Sequence, residues 1–309
     1  MATKRDLVSV LDVERDLLGL LDLAGTLKNR ARAGETYEPL RGKTLAMIFE
    51  KASTRTRVSF EVAMTQLGVH AVNLTPADTQ LGRGETIADT AKVLSRYVHG
   101  IVYRAYRHED MAELGRSATV PVINGLDDLE HPCQIIADLF TIHEARRSLP
   151  GLRIAYVGDG NNVCNSLLLG AAIVGAHITV GCPADHRPNP GILEEAKRIA
   201  AMSKADVRVV PDAPDAVHGA DIVYTDVWVS MGMEKEREAR AREFRPYQVN
   251  AHLMAGAKPD ALVMHCLPAH RGLEITDDVI DGPQSIVFDQ AENRLHAQKA
   301  ILARFIGGF

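Results

Sequence analysis

Short apolar runs rich in β-branched residues alternate with longer amphipathic segments along almost the whole chain. Such an alternation is typical of α/β folds, in which parallel sheets are covered by helices on both faces. A break with proline and glycine, "SLPGL" at 148–152, separates two such series and predicts a boundary between two domains after residue 147. The candidate strands are "TLAMIF" (44–49), "HAVNLT" (70–75), "GIVYR" (100–104), "PVINGL" (121–126), "RIAYVGDG" (153–160), "HITVGC" (177–182), "VRVV" (207–210), "ADIVYTD" (220–226), "ALVMHC" (261–266) and "SIVFD" (285–289), and the longest helical pattern is "PCQIIADLFTIHEARR" (132–147).

Polar and reactive residues follow the predicted strands in both halves of the chain. "STRTR" follows the first strand, Arg104 ends the third, and "DDLEHPCQ" follows the fourth. In the second half, "GDGNN", "DVWVSMG" and "HCLPAHRG" occupy the same kind of place. Because ligands of open parallel sheets bind outside the carboxyl ends of the strands, these residues predict one ligand-binding cleft between two domains.

Composition and charge narrow the class of protein. The 309 residues are 46% hydrophobic and 24% charged, which is typical of a soluble globular protein with a proper core. The net charge of −5 argues against a general affinity for nucleic acid, so an anion site requires a local concentration of positive charge. The N-terminus lacks the apolar core of a signal peptide, and the longest apolar block (167–176) is too short to cross a membrane. Four cysteines without CxxC spacing suit a reducing compartment, and together these features predict a cytoplasmic protein.

The segment "IFEKASTRTRVSFEV" (48–62) places hydroxyl and guanidinium groups where a buried strand is followed by a helix that ends near Gly68. The simplest interpretation is a capped helix start, with Ser or Thr as the N-cap. The alternative is a phosphate site, because a helix N-terminus attracts anions and Arg55 can bind two phosphate oxygens at once. A P-loop is not indicated, since "GxxxxGK[ST]" is absent.

The segment "VGDGNNVCNSLLLG" (157–170) has the order strand, Gly158, Gly160 and helix that dinucleotide-binding proteins share. Its third fingerprint position holds Val163, however, and Asp185 lies beyond a proline rather than at the end of the next strand. A partial glycine pattern is weak evidence for a dinucleotide. Asn161 and Asn162 at this helix start are an alternative site for a zwitterionic group.

Three further features each allow a structural and a functional interpretation. His131 is either a turn histidine or a donor that polarises a carbonyl group, since it opens a helix directly after a strand. Cys266 is either a buried strand residue or a site residue, and the sequence assigns it no base that would make it a covalent nucleophile. The run "EKEREARAREFR" (234–245), mixed in charge, predicts a solvated helix face.

Several motifs together resemble the ornithine carbamoyltransferase family. They are "FEKASTRTRVSFE", "HPCQ" (131–134), "DVWVSMG" (226–232), "HCLP" (265–268) and "ENRLHAQKAIL" (292–302), and they cover nearly the whole chain in the family's order. "HPCQ" and "SMG" resemble the ornithine branch rather than aspartate carbamoyltransferase. The resemblance implies an α/β protein with a carbamoyl phosphate-binding domain (1–147), an ornithine-binding domain (148–289) and a C-terminal helix (290–309) that returns to the first domain.

The resemblance also implies a set of site residues. Arg104, His131, Asp226 and Cys266 would be catalytic. Glu130 departs from the family pattern, which raises the expectation that it perturbs His131. Ornithine would be bound by Asn162, Asp226, Ser230 and Met231. Carbamoyl phosphate would be bound by Ser53, Thr54, Arg55, Thr56, Gln80, Arg104, His131, Pro132, Cys133, Gln134, Cys266, Leu267 and Arg294.

The implied reaction is transfer of the carbamoyl group from carbamoyl phosphate to the δ-amine of L-ornithine, a step of arginine biosynthesis that yields citrulline. The resemblance implies a homotrimer that uses no metal and no organic cofactor, and that binds neither nucleic acid nor membrane. Three alternatives remain open at this point. They are a carbamoyltransferase that uses putrescine or another amine, a dinucleotide-dependent dehydrogenase built on "GDG", and a non-catalytic subunit with the same fold.

Overall fold

The computed structural model of the chain describes residues 4–75, 79, 81, 84–229 and 237–309. The chain divides into two compact units. Unit 1 comprises Met1–Phe140 together with Asn293–Phe309, and unit 2 comprises Thr141–Glu292. The division falls inside two helices, so that each unit receives part of both.

Unit 1 is built on a parallel sheet whose strand order is β2-β1-β3-β4 among the described residues. Its inner strands, β1 and β3, are buried along nearly their whole length, as expected where helices cover both faces of a parallel sheet. The elements of this unit are α1 (Leu17–Arg32), β1 (Thr44–Phe49), α2 (Thr54–Gln66), β2 (His70–Leu74), α3 (Ile87–Leu94), β3 (Gly100–Arg104), α4 (His108–Ser117), β4 (Val122–Leu126), the first part of α5 (Pro132–Arg146) and a short 3₁₀ helix (Val10–Val13).

Unit 2 is built on a second parallel sheet, with the strand order β7-β6-β5-β8-β9 in the described part of the chain. Its elements are β5 (Arg153–Val157), α6 (Asn162–Ile173), β6 (His177–Gly181), α7 (Pro190–Ser203), β7 (Val207–Val210), α8 (Ala213–Val217), β8 (Ile222–Thr225), α9 (Arg237–Glu243), α10 (Ala251–Met254), β9 (Leu262–His265), α11 (Asp277–Ile280) and the start of α12 (Val287–Leu302), with 3₁₀ turns at Ala184–His186 and Arg245–Tyr247.

The predicted α/β class with two helix-covered parallel sheets is confirmed, but the prediction of a strand at 285–289 is wrong. Only Ser285 forms an isolated bridge, to Val263, and α12 begins at Val287. The apolar triplet that suggested a strand lies across a helix start, where Val287 is buried and Phe288 is 67% exposed. Good helix formers follow in "AENRLHAQKAIL", and their helical preference prevails over that of the short β-branched run.

The C-terminal helix packs in unit 1, as predicted. Buried Lys28 on α1 donates to the Asn293 side chain on α12 at 2.7 Å. The Lys299 ammonium donates to Gln66 at the end of α2 at 3.0 Å. The chain then ends in a π-helical turn, Ala303–Gly307. None of the described helices is long and apolar enough to cross a bilayer.

The described part of the charged segment around α9 has the predicted solvated face, where Glu238, Arg242 and Glu243 are exposed, and also a buried face that was not predicted. Arg240 is 6% exposed and its guanidinium donates to Asp159 Oδ2 and to the Trp228 carbonyl, both at 2.6 Å. The ring of Phe244 is completely buried. Burial of the arginine is possible because a carboxylate compensates its charge.

Candidate active site

The turn between β1 and α2 is a capped helix start. Ser53 is the N-cap of α2, and its hydroxyl accepts from the Thr56 amide at 3.3 Å. Thr54, Arg55, Thr56 and Arg57 therefore form the first turn of the helix, which begins three residues earlier than the apolar spacing alone indicates. Arg55 is half-buried and Thr54 is exposed, so this turn offers amides, a hydroxyl and a guanidinium at the positive end of the helix dipole.

A hydrogen-bond network joins this turn to the start of α5 and to α12. The Arg294 guanidinium donates to Thr56 Oγ1 at 2.6 Å and to Gln134 Oε1. Gln134 in turn donates to Asp138 Oδ1, one helical turn along α5, at 2.8 Å. All four side chains are almost fully buried. Their mutual hydrogen bonds fix Thr56 and Gln134 before any ligand binds.

Two more buried polar residues of this unit lie at the end of β3 and directly before α5. Arg104 ends β3 and is 5% exposed, while His131 directly precedes α5 and is 4% exposed. The Arg104 carbonyl accepts from the Glu50 amide at 3.0 Å, which ties the end of β3 to the residue after β1. The polar residues that follow separate strands in sequence are thus collected at one end of the sheet, as parallel topology requires.

The charges of this region are reflected in three shifted pKa values. Burial lowers the pKa of His131 well below its ordinary value, and the positive charges of Arg294 and Arg104 lower it further. Partial burial, together with Arg104, lowers the pKa of Lys51. Burial raises the pKa of Cys133 to about 12, which keeps this residue a neutral thiol. Positive charge is therefore concentrated here, although the chain as a whole is acidic.

Glu130 has a structural partner away from the His131 ring. Its carboxylate accepts from the Val10 amide at 3.1 Å, at the start of the N-terminal 3₁₀ helix. Its own amide donates to Asp127 Oδ1 at 2.7 Å. The causes of the pKa shift of His131 are burial and two arginines, and an effect of Glu130 on His131 stays a prediction.

In unit 2, the side chain of Asp226 lies between two neutral donors. Asp226 directly follows β8 and is 5% exposed. Its Oδ1 accepts from the Cys266 thiol, which follows β9, at 3.0 Å. Its Oδ2 accepts from the Asn161 amide at 2.9 Å. Asn162 is the half-buried first residue of α6, next to Asn161.

The segment after β9 is held in an unusual backbone conformation. The Leu267 amide donates to His265 Nδ1 at 2.9 Å, and Leu267 has φ +57°, which is uncommon for a residue with a side chain. The peptide bond from Leu267 to Pro268 is cis. The other ring nitrogen of His265 lies 3.2 Å from the buried Glu274 carboxylate. The hydrogen bond between Leu267 and His265 thus fixes the backbone on both sides of Cys266.

The described residues contain one group with the geometry to hold a metal ion, formed by Asp226, His265 and Cys266. Their ligand atoms lie within 4.8 Å of one another. Both ring nitrogens of His265 are already engaged, by the Leu267 amide and by Glu274. A metal would have to displace one of these partners, so the trio fits a metal poorly.

The glycine segment "GDG" is packed against the protein's own backbone. A Cβ atom on Gly160 would lie 2.3 Å from the Pro188 nitrogen and 2.4 Å from the Arg187 carbonyl carbon. In dinucleotide-binding folds, the corresponding glycine lets the backbone approach a pyrophosphate. Here the chain itself occupies the space beside Gly160, and the dinucleotide alternative is not favoured.

The structure thus groups the predicted residues unit by unit. Ser53, Thr54, Arg55, Thr56, Arg104, His131, Pro132, Cys133, Gln134 and Arg294 lie in unit 1, whereas Asn162, Asp226, Cys266 and Leu267 lie in unit 2. Gln80, Ser230 and Met231 lie outside the described residues.

Two residues of these networks were not predicted in the roles they have. Asp138 carries a sequence signal, because it is an acidic residue one turn after Gln134 within a mostly apolar stretch of helix. Asn161 carries none for its contact with Asp226, which lies 65 positions further along the chain.

Comparison with known proteins defines the class to which this arrangement belongs. Residues 5–144 match the carbamoyl-P binding domain of aspartate/ornithine carbamoyltransferases, and residues 150–305 match the Asp/Orn binding domain of the same group. The chain therefore belongs to the aspartate/ornithine carbamoyltransferase family.

Individual relatives narrow this class to one branch. The chain is 57% identical to the ornithine carbamoyltransferase of Methanothermobacter thermautotrophicus, over 98% of this chain and 99% of that protein. It is 56% identical to that of Methanoculleus marisnigri, over 99% and 98%. Among solved structures, the ornithine carbamoyltransferase of Pyrococcus furiosus is similar with a TM-score of 0.96 and 52% identity, over 99% of this chain and 98% of the other.

Proposed function

We propose that this chain transfers the carbamoyl group of carbamoyl phosphate to the δ-amine of L-ornithine and releases L-citrulline and phosphate. The observation that carries the proposal is the buried donor network of Thr56, Gln134 and Arg294 in the same unit as Arg104 and His131. The names of relatives at 52–57% identity support ornithine as the acceptor.

Carbamoyl phosphate would be bound by unit 1. Its phosphate would accept hydrogen bonds from Ser53, Thr54 and Arg55 in the first turn of α2. Its carbonyl oxygen would accept from Thr56, Arg104 and His131 as negative charge develops on it. The Thr56 hydroxyl accepts from Arg294, which leaves its own proton available to donate. A neutral His131 can donate an N–H to this oxygen without transferring a proton.

Ornithine would be bound by unit 2, with Asp226 accepting from the α-ammonium group and Cys266 orienting the δ-amine. By resemblance, Asn162, Ser230 and Met231 would complete this site. The δ-amine must be neutral to attack, although free alkyl amines have a pKa of about 10. Its nitrogen would form a bond to the carbonyl carbon, the carbon–oxygen bond to phosphate would break, and the departing phosphate would take the amine proton.

The remaining expectations belong to the same proposal. Residues 1–147 with 290–309 would form the carbamoyl phosphate domain and residues 148–289 the ornithine domain. The protein would be a cytoplasmic homotrimer that acts in arginine biosynthesis without an organic cofactor. Four free cysteines suit a reducing compartment.

Product analysis tests the reaction directly. With carbamoyl phosphate and L-ornithine, the protein should form citrulline and phosphate in equal amounts, without added metal or nucleotide. Putrescine keeps both amines of ornithine but lacks the α-carboxylate that Asn162 would bind, so it should be a much poorer acceptor. Faster carbamoylation of putrescine than of ornithine would refute the proposed acceptor.

Replacement of Arg55 by Ala tests the phosphate site. Loss of its charge-assisted hydrogen bonds should weaken carbamoyl phosphate binding by about 2–5 kcal/mol, measured by calorimetry. The matched control is Arg57→Ala in the same helical turn. Arg57 is exposed, and its Nε lies 3.6 Å from Glu61 Oε1, so its charge already has a partner on the helix surface. Equal affinity of the Arg55 variant and the wild type would contradict the phosphate site.

A further inference from the structure

The side-chain amide of Asn161 connects a helix start to the Asp226 carboxylate. Its Oδ1 accepts from the amides of Val163 at 3.0 Å and Cys164 at 3.1 Å, which makes Asn161 the N-cap of α6. The same oxygen accepts from the Tyr156 hydroxyl at 3.3 Å. Its Nδ2 donates to Asp226 Oδ2 at 2.9 Å. Three donors facing Oδ1 fix which end of the amide is the oxygen, so the NH₂ group has to point at Asp226.

Asparagine is the only short side chain that can make both kinds of contact at neutral pH. Ser, Thr and Asp are good N-caps because they offer an oxygen to the helix amides. None of them also offers an N–H donor at the distance of Asp226. An asparagine at position 161 is therefore explained by two contacts together, the cap of α6 and the hydrogen bond to Asp226. The cap alone would not require asparagine.

We infer that Asn161 is a positioning residue for the amino-acid substrate, acting by orienting Asp226. This inference rests on the proposed role of Asp226 in binding the α-ammonium group of ornithine. The two carboxylate oxygens are held from two sides, by Asn161 and by the Cys266 thiol. Because both donors are neutral, they fix the orientation of Asp226 and leave its negative charge for the ligand. A lysine or arginine in place of either donor would neutralise that charge.

The charges around this contact determine what a substitution would do. The ionisable groups near Asn161 are Tyr156, Asp159, Cys164, Asp226 and Cys266, and burial raises the pKa of the Tyr156 hydroxyl and that of the Cys164 thiol. Asp159 is paired with Arg240 at 2.6 Å and lies 3.7 Å from His186. A carboxylate introduced at position 161 would therefore meet the Asp226 carboxylate as its nearest unneutralised charge.

Two variants separate capping from positioning. Asn161→Ser keeps an oxygen for the α6 amides but is too short to reach Asp226. Asn161→Asp also keeps an oxygen for the cap. A hydrogen bond between the introduced carboxyl group and Asp226 can form only while one of these two groups is protonated. Matched controls are Asn189→Ser and Asn189→Asp, because Asn189 caps α7 through the amides of Gly191 and Ile192.

The test measures binding of norvaline, which lacks the δ-amine, to protein saturated with carbamoyl phosphate. The Asn161→Ser variant should bind norvaline about 10- to 100-fold more weakly, the range expected for a lost hydrogen bond to a charged group. Its KM for ornithine should rise, while carbamoyl phosphate affinity and the melting temperature should match those of the Asn189 controls.

The Asn161→Asp variant adds a readout that a purely structural role would not produce. Two adjacent carboxylates raise the pKa of one of them, and the shared proton restores a donor. The ratio of the norvaline dissociation constant of this variant to that of the wild type should therefore be large above neutral pH. It should approach one as the pH falls to about 5.

Two outcomes would overturn the role of Asn161. One is wild-type norvaline affinity in Asn161→Ser, and the other is a ratio of dissociation constants in Asn161→Asp that does not change with pH. A wild-type protein that forms no citrulline would instead overturn the proposed function together with this inference.

Discussion

At the scale of single residues, the histidine at the start of α5 differs from an ordinary histidine in its protonation. His131 is buried with the guanidinium groups of Arg104 and Arg294 as its charged neighbours, and all three effects oppose a positive imidazole. A neutral ring still offers one N–H donor. In the proposed function, His131 would therefore stabilise the developing oxyanion as a neutral donor, without adding a third positive charge beside the two arginines.

Histidine NMR titration tests this assignment within a single spectrum. His108 has the opposite environment, because its hydrogen bond to Asp127 at 2.8 Å raises its pKa. At about pH 6, below the ordinary histidine pKa of about 6.5, the His131 ring should be neutral and the His108 ring mostly protonated. Substitution of each histidine by Gln assigns the signals. A His131 ring that titrates at or above the His108 midpoint would contradict the assignment.

The same shift has a consequence for stability. The folded state holds His131 neutral, so below about pH 6.5 the unfolded state binds more protons than the folded state. The contribution of His131 to folding is complete above that pH and is lost as the pH falls toward its folded pKa. In His131→Gln, the decrease of melting temperature with acidification over this range should be smaller than in the wild type.

At the scale of elements, three helices of unit 1 meet through one guanidinium group. Arg294 on α12 donates to Thr56 on α2 and to Gln134 on α5. The geometry uses the planar fork of arginine, which a lysine of the same charge does not reproduce. Arg294 on the C-terminal helix α12 thus fixes the positions of Thr56 and Gln134, which lie much earlier in the sequence.

Replacement of Arg294 by Lys tests the contribution of this fork. The charge is kept, but one of the two buried acceptors loses its donor, which costs about 1–3 kcal/mol. We expect a lower melting temperature and at least tenfold weaker carbamoyl phosphate binding. Arg304→Lys is the control, since Arg304 lies near the end of the same segment and pairs with the partly exposed Asp16 at 3.1 Å. Equal effects of the two substitutions would show that the Arg294 fork has no special role.

The sequence predicted the elements better than it predicted their contacts. Strands such as 44–49, 100–104 and 207–210 were predicted with the bounds that the structure has, because buried parallel strands are short apolar runs between turn signals. The strand at 285–289 was wrong, since a short apolar run does not distinguish a strand from a helix start. The contact between Asn161 and Asp226 was not predictable, because local patterns contain no information about pairs that only the sheet order brings together.

At the scale of the whole molecule, the chain combines a negative net charge with a local cluster of cationic residues. Its net charge is −5, yet Lys51, Arg104 and Arg294 lie at one end of the unit 1 sheet. Such an arrangement attracts a small anion to one place without giving the molecule a general affinity for polyanions. In unit 2, the proposed partner of the ornithine ammonium group is the carboxylate of Asp226, so the two proposed substrates would be distinguished by charge.

The proposed homotrimer has a direct test in subunit mixing. By resemblance, Gln80 would complete the carbamoyl phosphate site of a neighbouring chain, whereas Arg55 would act within its own. Three copies of the 33.7 kDa chain should sediment as a particle of about 101 kDa. Arg55→Ala and Gln80→Ala homotrimers should both be nearly inactive, because every site in each of them lacks one contribution.

Mixed trimers of the two variants should regain activity. In a closed ring, a junction between a Gln80→Ala chain that supplies Arg55 and an Arg55→Ala chain that supplies Gln80 is wild type at both positions. Random reassembly of equal amounts should therefore restore roughly a quarter of the wild-type sites, by independent pairing around the ring. Each variant dissociated and reassembled alone is the control and should stay inactive. If hybrids are shown to form by native mass spectrometry and remain inactive, Gln80 does not serve a neighbouring site, whether or not the protein is a trimer.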